Sequence, residues 1–157
     1  MCRISLTRRL QQACLSIADT WRLRVRTLEA AIRLCQAQWY VRCVPLGKWR
    51  RHLERRVCHA PAPAQPDQET AREGRRLAIH VERAAQRLPF ATKCLPRAVA
   101  LAAMLRARNI PYSLCIATRP ARIRTGTDDL HAWISVAGRI VIGELPGEWH
   151  ILLDIKG

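Results

Sequence analysis

The sequence of 157 residues lacks the features that mark several protein classes. It has no stretch of 18 uncharged apolar residues, which excludes a membrane-spanning helix. Aromatic residues make up only 5% of the chain, and no helix-turn-helix, RRM or zinc-finger pattern is recognisable, which argues against a nucleic-acid-binding module. The first twenty residues carry Arg3, Arg8, Arg9 and Asp19 without an apolar block. We therefore expect no signal peptide and a cytoplasmic protein.

The seven cysteines lack the paired spacing of a disulfide framework or a zinc site. No C-x-x-C pair occurs and the count is odd, so we expect no metal and no bound cofactor. We expect most of these thiols to be small buried side chains. The open question is whether one of them is reactive.

Positive charge is what the sequence has in excess. The net charge is +15; residues 1–58 hold 13 basic against three acidic side chains, and residues 59–157 hold 14 against nine. Such a field attracts nucleic acid, anionic lipid or an acidic peptide or protein. A solvated basic surface explains the charge equally well.

The first part of the chain predicts helices. Residues 6–43 contain no Gly or Pro, and apolar side chains recur every three to four residues at Leu10, Cys14, Ile17, Trp21, Val25, Leu28, Ile32, Cys35 and Trp39. This stripe predicts packing against the rest of the domain; a membrane-surface helix and a docking face for a partner are the alternatives. Further helices are predicted over residues 48–57, 69–88 and 94–108, with a Pro-rich linker over 59–68.

The period then changes to that of strands. Strands are predicted over residues 112–118, 130–136, 139–143 and 149–155, with a polar loop over 119–129. A two-residue loop, Ala137–Gly138, joins the middle pair into a hairpin. The fold class is therefore α+β, with a small antiparallel sheet. We expect a basic helical region at 1–58, the linker at 59–68 and a core domain at 69–157.

Cys94 is the thiol whose position predicts reactivity. It begins the predicted helix 94–108, where free backbone N–H groups and the helix dipole favour a thiolate. Lys93 and Arg97 add positive potential. Since Pro96 fits a helix only in its first turn, the helix cannot begin much earlier.

A nucleophilic thiol needs a base, and His131 opens the strand after the polar loop. With a two-residue hairpin loop, His131 lies opposite Glu144, whose carboxylate would orient the ring. Asp129 and Asp154 are the alternative acids. Arginines in the loop before His131 are candidates for substrate contact, although a solvated loop explains them too; they are Arg119, Arg122 and Arg124.

The order of cysteine on a helix start, histidine on a strand and acid on the next strand is that of the transglutaminase-like cysteine hydrolases. Residues 88–108 (LPFATKCLPRAVALAAMLRAR) and the following NIPYSLCIAT resemble the lasso-peptide leader peptidases, often called the B2 proteins. So do His131-Ala132-Trp133, GRIV at 138–141 and VPLG at 44–47. The CLPRA block with a downstream HAW is the specific part, and the resemblance covers most of residues 28–144.

The resemblance implies a bacterial, cytoplasmic maturation enzyme whose transglutaminase-like, papain-like core packs a nucleophile helix on the sheet. Such enzymes remove the leader from a ribosomally made lasso precursor peptide. The resemblance implies Cys94 as nucleophile and His131 as general base, but transfers no acid, so Glu144 rests on the hairpin register. It also implies three partners: the precursor's leader, a small leader-recognition protein and an ATP-dependent lasso cyclase. A transglutaminase-like acyltransferase and a basic nucleic-acid-binding protein remain the alternatives.

Overall fold

The computed structural model describes residues 4–45, 47–48, 53, 67–123 and 129–157; for residues 4–20 it describes the backbone only. The helices are α1 (Ile4–Cys43), α2 (Gln68–Arg87) and α3 (Cys94–Ala107). The strands are β1 (Ser113–Thr118), β2 (Leu130–Val136), β3 (Arg139–Ile142) and β4 (His150–Lys156), with a short 3-10 helix, Ala121–Ile123, after β1. Helices followed by a small sheet confirm the predicted α+β class.

The four strands form one antiparallel sheet in the order β3-β2-β1-β4. Alternate strand residues are fully buried in the apolar core beside α2 and α3, among them Leu114, Ile134 and Val136. Helix α2 approaches the sheet closely at Gly74, because a Cβ there would lie 3.0 Å from a methyl of Val136. The central strands are thereby fixed against the two helices that precede them.

Local sequence signals explain where α2 and α3 begin and end. Asp67 caps α2 by accepting a hydrogen bond from the backbone N–H of Glu69. Helix α3 ends at Ala107, and Asn109, two residues later, adopts a φ of 56°, the left-handed conformation that Asn tolerates just after a helix. The predicted apolar faces are confirmed, since Leu77 and Val81 of α2 and Leu101 of α3 are completely buried.

Helix α1 packs through a face that the sequence did not single out. Ala30, Leu34 and Ala37 are buried against α2 and α3, and Glu29 accepts hydrogen bonds of 3.1 and 2.6 Å from the guanidinium of Arg108. The predicted stripe is instead exposed from Trp21 to Trp39. The prediction that it packs inside the domain is therefore wrong, because the small alanines allow a closer approach of the helices.

Two predicted segments fall largely outside the described residues. The short basic helix at 48–57 and the linker at 59–68 are described only at residues 48, 53, 67 and 68, and Gln68 is already the first residue of α2. The division of the chain at 59–68 stays a prediction. Within the described part of the chain, no helix has both the length and the apolar content to cross a membrane.

Candidate active site

Cys94 is the first residue of α3 and is half-buried. The residue before it, Lys93, adopts an extended conformation, and no side-chain hydrogen bond caps the helix start. Pro96 carries no N–H, so the backbone N–H groups at this end are those of Cys94 and Leu95. The Cys94 thiol lies 3.9 Å from the backbone carbonyl of Leu130, the residue before His131. The helix start thus places the sulfur beside the beginning of β2.

Cys94 and His131 line the same cavity of about 660 Å³. Its wall joins the start of α3, the side of α2 and the end of the β2–β3 hairpin, and its polar part includes Arg75, Glu82, Thr92, Arg97 and Glu144. Thr92 accepts a hydrogen bond of 3.0 Å from Nε of Arg97. The candidate nucleophile Cys94, the candidate base His131 and the carboxylate of Glu144 therefore line one cleft.

The ring of His131 is held by a backbone carbonyl. Its Nε2 lies 2.6 Å from the carbonyl oxygen of Gly143. Because a carbonyl oxygen only accepts, Nε2 carries the proton and donates it to this bond. In the neutral ring Nδ1 then has the lone pair, and it is the nitrogen left to take a proton from a nucleophile.

The predicted opposition of His131 and Glu144 is wrong in register. The two-residue loop is as predicted, since Val136 pairs with Arg139. A bulge follows, so that Ile142 pairs with Ile134 instead of the predicted Trp133. The extra residue moves everything after it by one position, which brings the Gly143 carbonyl to the imidazole and leaves Glu144 exposed on the cavity wall.

Neighbouring residues stabilise the bulge. The carbonyl of the extra residue, Val141, accepts a hydrogen bond of 2.6 Å from Arg75 of α2. Gly143 follows with a φ of +81°, and a Cβ there would lie 2.6 Å from the carbonyl oxygen of Ala132. Only glycine fits this position without a shift of the backbone. Sequence reasoning missed Gly143 because the carbonyl that holds His131 belongs to every residue type.

Two tryptophans enclose the imidazole. Trp133 stacks on His131 at a centroid distance of 6.0 Å, and Trp149 lies at 5.1 Å. The guanidinium of Arg119 lies 5.2 Å from the ring centroid of Trp149, and His131 is only 7% exposed. Sequence reasoning included Trp133 but missed Trp149, which reaches the site only because β4 pairs with β1.

The alternative acids, Asp154 and Asp129, have contacts of their own. Asp154 lies opposite Cys115 on β4 and accepts a hydrogen bond from the hydroxyl of Ser113. The backbone carbonyl of Asp129 accepts a hydrogen bond of 2.9 Å from the N–H of Arg119. Of the loop arginines, Arg122 pairs with exposed Glu148, and Arg124 lies outside the described residues.

The other described cysteines offer no comparable arrangement. Burial raises the pKa of the Cys115 thiol, which disfavours a thiolate there. Cys35 and Cys43 are exposed, so the expectation of mostly buried thiols is wrong for them. A larger cavity of about 890 Å³ between α1 and α3 contains Cys35, but none of its described lining residues is a histidine or a carboxylate.

Comparison with known families agrees with this geometry. A family model described as the Transglutaminase-like superfamily matches residues 37–152, more than half of the chain. The chain therefore belongs to the transglutaminase-like superfamily, whose members are usually cysteine-protease-like enzymes. No curated protein and no solved structure gives a match.

Proposed function

We propose that this chain is a cysteine peptidase that removes the leader from a lasso peptide precursor. The observation that carries the proposal is the single cleft lined by Cys94, at a helix start without a side-chain cap, and by His131, whose Nε2 donates a hydrogen bond to the Gly143 carbonyl. The CLPRA and HAW motifs, which resemble the lasso-peptide leader peptidases, support the choice of substrate.

In the proposed reaction the Cys94 thiol gives its proton to Nδ1 of His131 and attacks the last carbonyl carbon of the leader. The backbone N–H groups of Cys94 and Leu95 stabilise the oxyanion of the tetrahedral intermediate. The imidazolium then returns the proton to the leaving amine of the core peptide, and a thioester to Cys94 remains. His131 activates water, which hydrolyses the thioester and releases the leader acid.

The role proposed for Glu144 is electrostatic. Its carboxylate lies on the wall of the same cavity, where a negative charge stabilises the imidazolium that forms when His131 takes a proton. The task of fixing the ring falls to the Gly143 carbonyl. We expect Glu144→Gln to lower the rate by about tenfold, since general acid–base effects amount to roughly 100- to 10,000-fold in full.

The proposal includes the compartment and the partners of the enzyme. We place it in the cytoplasm with a separate leader-recognition protein, which presents the precursor, and an ATP-dependent lasso cyclase, which uses the released amine. The apolar side of the cavity, formed by Ile140, Ile142 and Leu145, suits an extended leader segment with an apolar side chain.

The test is leader removal from a lasso precursor in the presence of its recognition protein, followed by mass spectrometry. Cys94→Ala and His131→Ala should each reduce the rate by about 1,000-fold or more. Cys43→Ala, which changes an exposed thiol outside the cleft, is the matched control and should retain the full rate. Full activity of Cys94→Ala would overturn the proposal.

The same products decide between a peptidase and an acyltransferase. Hydrolysis yields a free leader acid, whereas transfer to an amine yields an amide-linked adduct. A leader acid as the main product supports the peptidase. An adduct as the main product would assign the cleft to acyl transfer instead.

A further inference from the structure

The exposed apolar residues of α1 follow a heptad. Counting from Val25 as position a, positions a and d are occupied without a break by Trp21, Val25, Leu28, Ile32, Cys35 and Trp39, which we call the α1 seam. The same spacing continues back in the sequence to Ala18 and Cys14. Such an uninterrupted run of uncharged a and d positions is typical of coiled coils.

The α1 seam lies mainly on the side of the helix opposite the core, and its last two members, Cys35 and Trp39, also border the cavity between α1 and α3. The residues that α1 buries, Ala30, Leu34 and Ala37, occupy positions f, c and f of the same heptad, on the opposite side of the helix. In the seam, Trp21 is 65% exposed, Leu28 62% and Ile32 51%. Large apolar side chains in an unbroken row cost free energy in water, and such rows usually mark an interface.

We propose that the α1 seam joins two copies of this chain in a parallel, two-stranded coiled coil. The side chains of the seam favour a second copy of the chain as the partner, because β-branched residues at a with Leu at d favour parallel dimers. Here Val25 and Ile32 hold a positions and Leu28 the d position between them. Arg42 takes the next d position after Cys35 and ends the seam.

The flanking positions fit a second copy in register. In a parallel pair, position g of one helix lies beside the following e of the other. Arg24 holds g and Glu29 the following e, so opposite charges meet on both sides of the pair. Glu29 already binds Arg108 of its own chain, but a carboxylate has further lone pairs to accept from Arg24 of the second copy.

Net charge sets the conditions for assembly. Two chains of +15 each repel one another, and salt screens that repulsion over roughly 10 Å at 0.1 M. We therefore expect dimerisation to strengthen as the salt concentration rises. Binding of an acidic partner helix or an anionic membrane to the same seam would weaken with salt instead.

The first test is the mass of the full chain in reducing buffer with 0.5 M salt, by sedimentation or light scattering. We expect twice the 17.9 kDa of one chain. Leu28→Glu with Ile32→Glu should return the chain to the monomer, with far-UV circular dichroism unchanged because both positions are exposed. The matched control is Ile151→Glu with Leu152→Glu, on the edge strand β4 at 59% and 60% exposure; it should remain a dimer.

Every other result of this test overturns the proposal. The proposal is wrong if the wild-type chain stays monomeric at about 100 µM. It is also wrong if that monomer binds phosphatidylglycerol vesicles through the α1 seam instead. A dimer that the β4 control dissociates, or that the seam variant leaves intact, has its interface elsewhere.

Cys35 provides a second, independent test, because equivalent d positions of a parallel pair in register lie side by side. Mild oxidation of the full chain should give a Cys35–Cys35 disulfide, identified by peptide mass spectrometry, and Cys35→Ser should abolish it. Cys43 is also exposed but holds an e position, and should not form the equivalent link. A dimer that gives no Cys35–Cys35 bond would contradict the parallel register.

Discussion

His131 and Gly143, 12 residues apart, are joined by a hydrogen bond of 2.6 Å from Nε2 to a backbone carbonyl. In the usual cysteine–histidine–acid arrangement a carboxylate side chain holds this nitrogen. Here a one-residue bulge in the hairpin places a carbonyl there. The carbonyl fixes the tautomer and the ring plane as a carboxylate does, but adds no full negative charge, which remains with Glu144 on the cavity wall.

Gly143→Ala should therefore reduce leader removal by about 100-fold, since a displacement of about 1 Å in an active site has that effect. The added Cβ would lie 2.6 Å from the Ala132 carbonyl oxygen and must push the carbonyl of residue 143 away from His131. Steady-state rates and circular dichroism on the same samples separate this effect from unfolding.

Gly147→Ala is the control for backbone strain alone. Gly147 also has a positive φ, of +116°, but a Cβ there meets nothing within 4 Å. We expect this variant to keep most of the activity. Equal losses of activity in Gly143→Ala and Gly147→Ala would show that the activity does not depend on the position of the Gly143 carbonyl.

The stability of the protein should fall in mild acid because of His80. This ring is buried between α1 and α2, and its Nδ1 lies 2.9 Å from the hydroxyl of Thr27. That hydroxyl donates its own proton to the Leu23 carbonyl. Nδ1 of His80 must therefore carry the proton and donate it to the hydroxyl, and in the neutral ring Nε2 is unprotonated. Burial, first, and the positive charges of Arg83 and Arg26 lower the pKa of His80, while Glu73 opposes them.

A lowered pKa means that the unfolded chain binds the proton more tightly than the native chain. The free energy of unfolding should therefore decrease as the pH falls below about 6.5, the ordinary value for histidine, towards the lowered value. His80→Asn keeps a donor near Nδ1 and should flatten this slope between pH 7 and pH 5 in urea titrations. His150→Asn, at an exposed position, should leave it unchanged; parallel curves for wild type and His80→Asn would refute the prediction.

The hairpin loop offers a stabilising substitution. Ala137 and Gly138 both have positive φ, of 48° and 75°, as a type I′ turn requires. Alanine is strained in this conformation by about 1–2 kcal/mol, and Asn-Gly is the preferred pair. Ala137→Asn should raise the free energy of unfolding by about 1 kcal/mol, measured by urea titration.

Ala91→Asn is the matched control, because Ala91 is exposed and its φ is not positive. We expect no gain in stability from it. A destabilised Ala137→Asn would mean that the turn is not under the strain inferred from its backbone.

Much of this fold was predictable from local patterns. The limits of α3 follow from Pro96 and Asn109, and the strands from a change of period at residue 110. Cys94 and His131 were identified as candidates because a reactive thiol is expected at a helix start, and because His131 lies near the start of the strand after the polar loop. The family match over residues 37–152 confirms the predicted transglutaminase-like superfamily.

The remainder depends on tertiary contacts that no local pattern encodes. The bulge at Val141 is supported by Arg75 from α2, and Trp149 reaches His131 through the pairing of β4 with β1. Helix α1 has two apolar faces. Periodicity alone predicted that the face with the larger side chains would be buried, whereas the face with the small alanines packs against the core.

The central claim is that Cys94 is a nucleophile activated by its helix start and by His131. Alkylation by iodoacetamide at neutral pH tests it most directly, since only the thiolate reacts and the more exposed Cys43, which lies outside both the cleft and the α1 seam, serves as the internal control on the same chain. We expect Cys94 to be alkylated at least about tenfold faster than Cys43, and His131→Ala to remove that advantage without changing the rate for Cys43. Alkylation of Cys94 no faster than that of Cys43, or unaffected by His131→Ala, would contradict the account.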